Sequence, residues 1–175
     1  TTVGLPVPGA LDLSRPVEDD DHVFHPYLNN DLGHFIERGG THAWGGLSST
    51  PSDAATKTLF NANGDFVTIA NSSFTGTTAT LTLTNLPKGL SYSAYTGVVF
   101  GQKDFAPTGM TIETSTNGGT SWTTRLTDSS QKSTYLTTFD SGGTNTNAIR
   151  YTFNKNTSGV RTDIRFQSIT AYNYN

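Results

Sequence analysis

The sequence predicts an all-β domain, a sandwich or barrel of about eight strands that follows an irregular N-terminal arm. Beyond residue 50, short runs of alternating apolar and polar residues are separated by turn-forming residues at nearly regular spacing. The composition agrees, because threonine and the 11% of aromatic residues suit pleated strands, whereas glycine and asparagine suit the turns between them. No segment has the periodicity of a long helix.

The first fifty residues show neither a strand period nor a helix period, and they contain all four histidines and four of the seven prolines. Proline has no amide donor for a strand ladder, so this stretch is unsuited to a central strand. We therefore expect residues 1–50 to form an extended arm and residues 51–175 to form the sandwich. Scattered apolar residues in the arm favour an assembly segment that orders on a partner, for example on other copies in a trimer.

Alternation and turn residues place the individual strands. The clearest is 77–83, where Ala79, Leu81 and Leu83 face one way and threonines face the other. Asn117-Gly118-Gly119 predicts a tight hairpin, since these residues tolerate the positive φ that such turns need. The other predicted strands cover 65–70, 92–100, a segment through 110–112, 121–126, 135–139, 149–153 and 164–172, the last with a bulge between Phe166 and Ile169.

Length and charge exclude several function classes. The 175 residues suit one domain of ordinary size. Only 14% of residues are charged and the net charge is −3, so the chain has no basic surface for nucleic acid or anionic lipid. No apolar run approaches the roughly 20 residues that cross a bilayer. Without cysteine the chain forms no disulfide and has no thiolate ligand.

Enzyme activity is not indicated by any motif. The sequence contains no nucleophile elbow, metalloprotease helix, phosphate loop or dinucleotide-binding glycine pattern. All histidines precede position 43, away from the predicted sandwich, which leaves a catalytic triad poorly supported. Two acidic pairs could in principle act as glycosidase carboxylates, but the predicted domain offers them no long cleft. We therefore expect a non-catalytic protein; the pairs are Asp104 with Glu113 and Asp140 with Asp163.

Three segments carry a resemblance to a known family: Val98-Val99-Phe100-Gly101 followed by Ala106-Pro107, then 112–122 (IETSTNGGTSW), then 164–172 (IRFQSITAY). Their order resembles the galactose-binding-domain-like, or discoidin-like, family. The resemblance covers residue 58 to the C-terminus and leaves the arm unexplained. It implies an antiparallel jelly-roll β-sandwich whose loops at one end bind sugars, lipid head groups or proteins. It also implies a structural Ca²⁺ near the first strand.

Candidate site residues follow from the chemistry of sugar binding, which needs an aromatic ring to stack on the sugar and fixed polar groups to bind its hydroxyls. For each of them, ordinary surface or core packing is the competing interpretation. The resemblance makes Trp122 a core or sheet-packing residue. The candidates are Tyr92, Tyr95, Lys103, Asp104, Phe105, Arg150 and Arg161.

Metal binding and glycosylation have weaker signals. Asn61, Asn63 and Asp65 form an oxygen-rich, glycine-containing loop that suits Ca²⁺, and a plain Asx turn is the alternative. The histidines match no known ligand spacing, so we expect solvated or interface histidines, and no cofactor is required. Two Asn-x-Ser sequons begin at Asn71 and Asn156, and they matter only in a eukaryotic secretory pathway.

The leading hypothesis is a non-catalytic phage virion protein, of the tail-fibre, receptor-binding or capsid-decoration type, located on the virion or outside the cell. Its sandwich would bind a host surface glycan or partner virion subunits. The first alternative is a carbohydrate-binding module of a secreted glycosidase, in which the arm would be a linker. The second is a purely structural interaction protein. We expect neither nucleic-acid binding nor membrane insertion.

Overall fold

The computed structural model describes residues 35–36, 39–59, 66–89, 91–99, 105–129, 134–164 and 170–172. Within these residues the predicted all-β fold is confirmed. The described residues include the helix α1 (Asp53–Leu59), a 3-10 turn at Asn71–Ser73, two helical residues at 35–36 and ten strands. The strands are β1 (Thr41–Gly45), β2 (Val67–Ala70), β3 (Thr78–Thr84), β4 (Ser91–Val99), β5 (Gly109–Ser115), β6 (Thr123–Asp128), β7 (Thr134–Asp140), β8 (Ala148–Asn154), β9 (Arg161–Ile164) and β10 (Thr170–Tyr172).

The described strands pair antiparallel in three sheets. The largest has the order β1-β3-β8-β5-β6, the second the order β10-β4-β7, and the third is the ribbon of β2 and β9. Neighbours in a sheet are often distant in sequence, as where β8 lies between β3 and β5. Such non-local pairing is typical of jelly-roll sandwiches.

The core lies on one face of the five-stranded sheet. Leu81 on β3 and Ile112 on β5 flank Tyr151 on β8 in register, and all three are fully buried. The ribbon contributes Val67 and Ile164 to the same cluster. Burial of each large apolar side chain stabilises the fold by about 1.5–3 kcal/mol. The strand faces on which these side chains alternate in the sequence are therefore the faces that pack into the core.

The N-terminal limit of the sandwich differs from the prediction. Strand β1 pairs with β3 and forms one edge of the five-stranded sheet, although it lies inside the stretch predicted to be an arm. Phe35 and Ile36 belong to the hydrophobic core. The boundary at residue 50 therefore assigns too much chain to the arm, because one strand and two core residues precede it. The assembly role predicted for the arm stays a prediction, since residues 1–34 lie outside the described part of the chain.

Helix α1 holds β1 against the core. Its N-terminus is capped by Ser52, whose hydroxyl accepts a hydrogen bond of 3.1 Å from the amide of Ala55. The Trp44 indole, which shares the inner face of the sheet with Leu81, donates to the hydroxyl of buried Thr56 at 2.9 Å. No helix in the described residues is long and apolar enough to cross a membrane.

Two further predictions concern turns and strand ends. The hairpin between β5 and β6 is confirmed, with Gly118 at φ 72° and Gly119 at φ 97°. In the described part of the run 164–172, predicted as one strand, Ile164 ends β9 and Thr170–Tyr172 form β10, and these two strands belong to different sheets. The bulge predicted between Phe166 and Ile169 falls on residues 165–169, which lie outside the described residues.

Candidate functional site

The outer face of the β2–β9 ribbon carries a group of polar side chains. Val67 and Ile69 are buried in the core, so by alternation Thr68 and Ala70 face outward, and both are exposed. In the antiparallel register Thr68 lies opposite Asp163 and Ala70 lies opposite Arg161. The ribbon therefore presents a hydroxyl, a carboxylate and a guanidinium on adjacent positions.

A cleft of about 230 Å³ opens beside β2. The loop that follows β1 forms its other wall, and Ser48 holds this loop in place by donating its amide to the carbonyl oxygen of Ser73 at 2.7 Å. Hydroxyl groups dominate the lining, with a small apolar part from proline, isoleucine and alanine. The lining residues are Ser49, Thr50, Pro51, Thr68, Ile69, Ala70 and Ser73.

Asp163 connects the cleft to the other strand of the ribbon. Its Oδ1 accepts a hydrogen bond of 2.8 Å from the hydroxyl of Thr68, a cleft residue. Its Oδ2 accepts from Nε of Arg161 at 3.3 Å. The side chain of Asp163 is 7% exposed and that of Arg161 is 43% exposed. The nearly buried carboxylate thus orients a guanidinium that remains accessible to solvent.

Phe105 stacks on this guanidinium. The Cζ atom of Arg161 lies 3.9 Å from the centroid of the Phe105 ring, within the range of a cation–π contact. Gly159 allows the ring to approach, because a Cβ at this position would lie 3.1 Å from Cδ1 of Phe105. Aromatic ring, guanidinium, carboxylate and cleft therefore form one continuous site.

Asn156 fixes the loop that brings Phe105 and Arg161 together. Its side-chain nitrogen Nδ2 donates to the carbonyl oxygen of Ala106 at 2.6 Å. Its Oδ1 accepts from the backbone amides of Ser158 and Gly159 at 2.9 and 2.8 Å. Asn71 adds donations of 2.7 Å to the carbonyl oxygens of Asn156 and Gly159. The side-chain amide nitrogens of both sequon asparagines, Asn71 and Asn156, therefore donate hydrogen bonds to backbone carbonyl oxygens of the chain itself.

The predicted ligand residues are only partly brought together. Phe105 and Arg161 meet in the site just described. Tyr92 is 1% exposed and its phenol donates to the carbonyl oxygen of Pro87 at 2.7 Å, so this candidate is a core residue and the stacking role predicted for it is wrong. Tyr95 lies on β4 in register with Thr138. Lys103 and Asp104 lie outside the described residues.

The predicted calcium ligands Asn61, Asn63 and Asp65 also lie outside the described residues, so this site stays a prediction. Among the residues that the structure does describe, no three His, Cys, Asp or Glu side chains cluster so as to hold a metal ion. His42 directs one ring nitrogen at the carbonyl oxygen of Gly40 and the other at Oδ1 of Asp53, both at 3.1 Å. This histidine thus joins β1 to the start of α1.

Arg150 lies elsewhere, on the five-stranded sheet. Its Nε and Nη2 each lie 2.8 Å from Oε1 of Glu113, and its Cζ lies 4.5 Å from the ring centroid of Trp122. Trp122 therefore packs on the outer face of the sheet, in agreement with the sheet-packing part of the prediction, and it does not belong to the core cluster. Arg150 and Arg161 are members of two separate groups.

The sequence interpretation missed the cleft residues and the contacts of Asp163 with Thr68 and Arg161. Thr68 and Ala70 are unremarkable in sequence, and their importance arises only from the register of the ribbon. Asp163 carried a usable signal, because aspartate is depleted in strands and here it follows Thr162 and precedes apolar Ile164. A carboxylate on a strand needs a partner, and the neighbouring arginine supplies it.

No family model matches the sequence, and no curated protein matches it. Solved structures do show a likeness. Chitosan-binding module 1 of a chitosanase/glucanase from Paenibacillus sp. IK-5 is 11% identical, with a TM-score of 0.51 over 76% of this chain and 94% of that chain. CpGH89CBM32-5 from Clostridium perfringens, solved in complex with GalNAc-β-1,3-galactose, is 12% identical, with a TM-score of 0.45 over 79% of this chain and 98% of that chain. The chain thus has the galactose-binding-domain-like, or discoidin-like, β-sandwich fold.

Proposed function

We propose that this chain is a non-catalytic carbohydrate-binding module that binds a glycan at the cleft beside β2. One observation carries the proposal: the hydroxyl-lined cleft is continuous with the stacked Phe105 and Arg161 through the hydrogen bond between Thr68 and Asp163. The same fold occurs in a chitosan-binding module, which supports this assignment.

The chemistry of the cleft suits a sugar ring. A sugar offers hydroxyl groups at its edge and a C–H face, and it binds where polar groups and an apolar surface converge. Ser49 and Thr50 provide hydroxyls, whereas Pro51 and Ala70 provide apolar contacts. At about 230 Å³ the cleft is smaller than the roughly 300–1,000 Å³ of pockets for drug-sized ligands, which favours one sugar residue at its deepest point.

The charge of the site and of the whole chain favours glycans that are not anionic. Arg161 and Asp163 neutralise each other, and the whole chain carries a net charge of −3. A strongly anionic polysaccharide would be repelled by such a protein, so neutral or amine-bearing glycans are the better ligands. Lys103 and Asp104, which precede Phe105 in sequence, remain predicted contributors.

Two of the four carboxylates considered for catalysis, Glu113 and Asp163, are engaged by side chains of the described residues. Glu113 is bound to Arg150, and Asp163 is 5% exposed and bound to Thr68 and Arg161. A glycosidase needs one carboxylic acid that donates a proton and one free carboxylate across the scissile bond. These contacts support a binding role for both residues.

A module of a secreted glycosidase is favoured over the virion protein. The fold comparison supports glycan binding, whereas the phage hypothesis rests on the amino-acid composition and on the arm. Extracellular location belongs to the proposal in either case. Self-association through the arm remains a prediction, and the proposed sugar site does not depend on it.

The test is a glycan array probed with the wild-type chain and a pair of matched variants. Ala70→Arg places a long side chain in the cleft from an exposed position, and Ala54→Arg makes the same change at an exposed position of α1 that does not line the cleft. We expect wild type and Ala54→Arg to bind the same glycans, and Ala70→Arg to lose at least tenfold in affinity for them. Absence of binding by the wild type, or equal binding by all three proteins, would refute the proposal.

A further inference from the structure

Two aromatic side chains stand apart from the hydrophobic core. Among aromatic residues whose side chains are described, only Phe105 and Trp122 neither belong to the core cluster nor pack against it. Each of the two half-buried rings instead packs on the guanidinium of an arginine. The other described aromatic side chains are Phe35, Trp44, Phe66, Phe74, Tyr92, Tyr151 and Phe153.

Each of these two rings stacks on an arginine, and each arginine is in turn bound to a carboxylate. Phe105 stacks on Arg161, which is bound to Asp163, and this group borders the proposed sugar cleft. Trp122 stacks on Arg150 at 4.5 Å, and Arg150 is bound to Glu113 at 2.8 Å. The chain thus builds an aromatic, arginine and carboxylate group twice, on different sheets.

The second group lies on the outer face of the five-stranded sheet, which is rich in hydroxyls. Ile112 and Tyr151 point into the core, so their neighbours Glu113 and Arg150 point to the opposite face of the sheet. Thr82 pairs with Arg150 and Thr124 pairs with Glu113, which extends the row across neighbouring strands. The adjacent row on the same face consists of Thr80, Thr152, Thr111 and Thr127.

Trp122 is positioned for contact at the end of this surface. Gly119 lies beneath its ring, where a Cβ would come within 3.1 Å of Cζ2. The Arg150 side chain is 32% exposed and the Glu113 side chain is 18% exposed. Nε and Nη2 of Arg150 both contact Oε1 of the Glu113 carboxylate. The pair therefore presents a donor and an acceptor side by side, next to an indole, without net charge.

We propose that Trp122, Arg150 and Glu113, with the flanking threonines, form a second glycan-binding site on the outer face of the five-stranded sheet. The ligand class, a neutral glycan, rests on the proposed function. A carboxylate beside a guanidinium binds neighbouring sugar hydroxyls, and an indole packs against the C–H face of the ring. Because the two groups lie on separate sheets, occupation of one leaves the other open.

The tryptophan indoles provide the test. The chain contains two tryptophans, and the indole of Trp44 is bonded internally to Thr56. In a proton–nitrogen NMR spectrum Trp122 is thus the reporter and Trp44 is the internal control, and Trp122→Phe assigns the two signals. The probes are three neutral glycans: N-acetylchitohexaose, GalNAc-β-1,3-galactose and a β-1,4-galactan oligosaccharide. They are titrated into the wild type and into Ala70→Arg, in which the cleft is blocked.

We expect a saturable shift of the Trp122 indole signal with at least one probe in both proteins, and an unchanged Trp44 signal. Glu113→Gln should weaken this binding about tenfold while leaving binding at the cleft unchanged. If other resonances report binding in the wild type and the Trp122 signal stays fixed, or moves only when the cleft is open, the second site is refuted and the first one stands. If no resonance of the wild type moves with any probe, the second site is refuted, whereas the cleft proposal, which also covers amine-bearing glycans, is decided by the glycan array.

Discussion

The guanidinium of Arg161 lies 3.9 Å from the ring centroid of Phe105, although the two residues belong to different parts of the chain. Asp163 accepts a hydrogen bond from the guanidinium, and Asn156, in the loop that precedes Arg161, binds the carbonyl oxygen of Ala106, the neighbour of Phe105. The stack is therefore fixed before any ligand arrives. A preformed arrangement avoids the cost of ordering side chains on binding.

Replacement of Phe105 tests this stack. Phe105→Ala removes the ring on which Arg161 rests, and we expect the affinity for a glycan found on the array to fall roughly tenfold, measured by isothermal titration calorimetry. The thermal unfolding temperature should change little, because Phe105 is not part of the core. Val160→Ala is the control, since Val160 is 79% exposed in the adjacent loop. Equal losses in both variants would contradict a specific role for the ring.

Asn156 is expected to matter for stability. Asn156→Ala removes the side chain that donates to the carbonyl oxygen of Ala106 in a buried setting and that accepts from the part-buried amides of Ser158 and Gly159. We expect the free energy of unfolding to fall by about 3 kcal/mol, measured by urea denaturation. Thr157→Ala, a change at the next and exposed position, should cost less than about 0.5 kcal/mol. A loss below 1 kcal/mol for Asn156→Ala would show that the amide does not hold the loop.

Tyr151 gives the protein an alkaline sensitivity. Burial raises the pKa of the Tyr151 phenol far above its usual value, because the charged phenolate is poorly solvated in the core. The unfolded chain releases this proton near pH 10 and the folded chain does not, so stability falls above that pH by about 1.4 kcal/mol per pH unit. Tyr151→Phe should remove this part of the pH dependence. Identical alkaline unfolding curves for both proteins would refute the assignment.

The hairpin glycines differ in their expected cost. Both have positive φ, so alanine at either position is strained by about 1–2 kcal/mol. At Gly118 a Cβ would meet nothing within 4 Å, whereas at Gly119 it would press on Trp122. We therefore expect Gly119→Ala to be the more destabilising by thermal unfolding, and to shift the Trp122 indole signal. If Gly118→Ala shifted that signal equally, the contact between Gly119 and the indole would not be its cause.

The fold class could be predicted from sequence because local signals agreed with it. Alternation in 77–83 set which side of β3 is buried, and Asn117 with its two glycines set the hairpin. The prediction failed at β1, where Trp44 is only partly buried and the strand is short. An edge strand of five residues gains its stability from pairing with β3, and that pairing is not visible in its own sequence.

The site was predicted only in part for a related reason. Phe105 and Arg161 have side chains that suit sugar binding, so their chemistry identified them. Tyr92 also has an aromatic side chain that suits sugar binding, yet on β4 this side chain is buried in the core. The cleft depends on the distance between a loop after β1 and the strand β2, which is a property of tertiary packing that no local pattern reports.

A crystal structure of the chain with a glycan selected on the array tests the central proposal most directly. The proposal predicts a sugar residue in the cleft beside β2, with hydroxyls hydrogen-bonded to cleft side chains and with contact to Arg161 or Phe105. A bound glycan that leaves both the cleft and the Phe105–Arg161 stack empty would contradict it, wherever else on the chain that glycan lies.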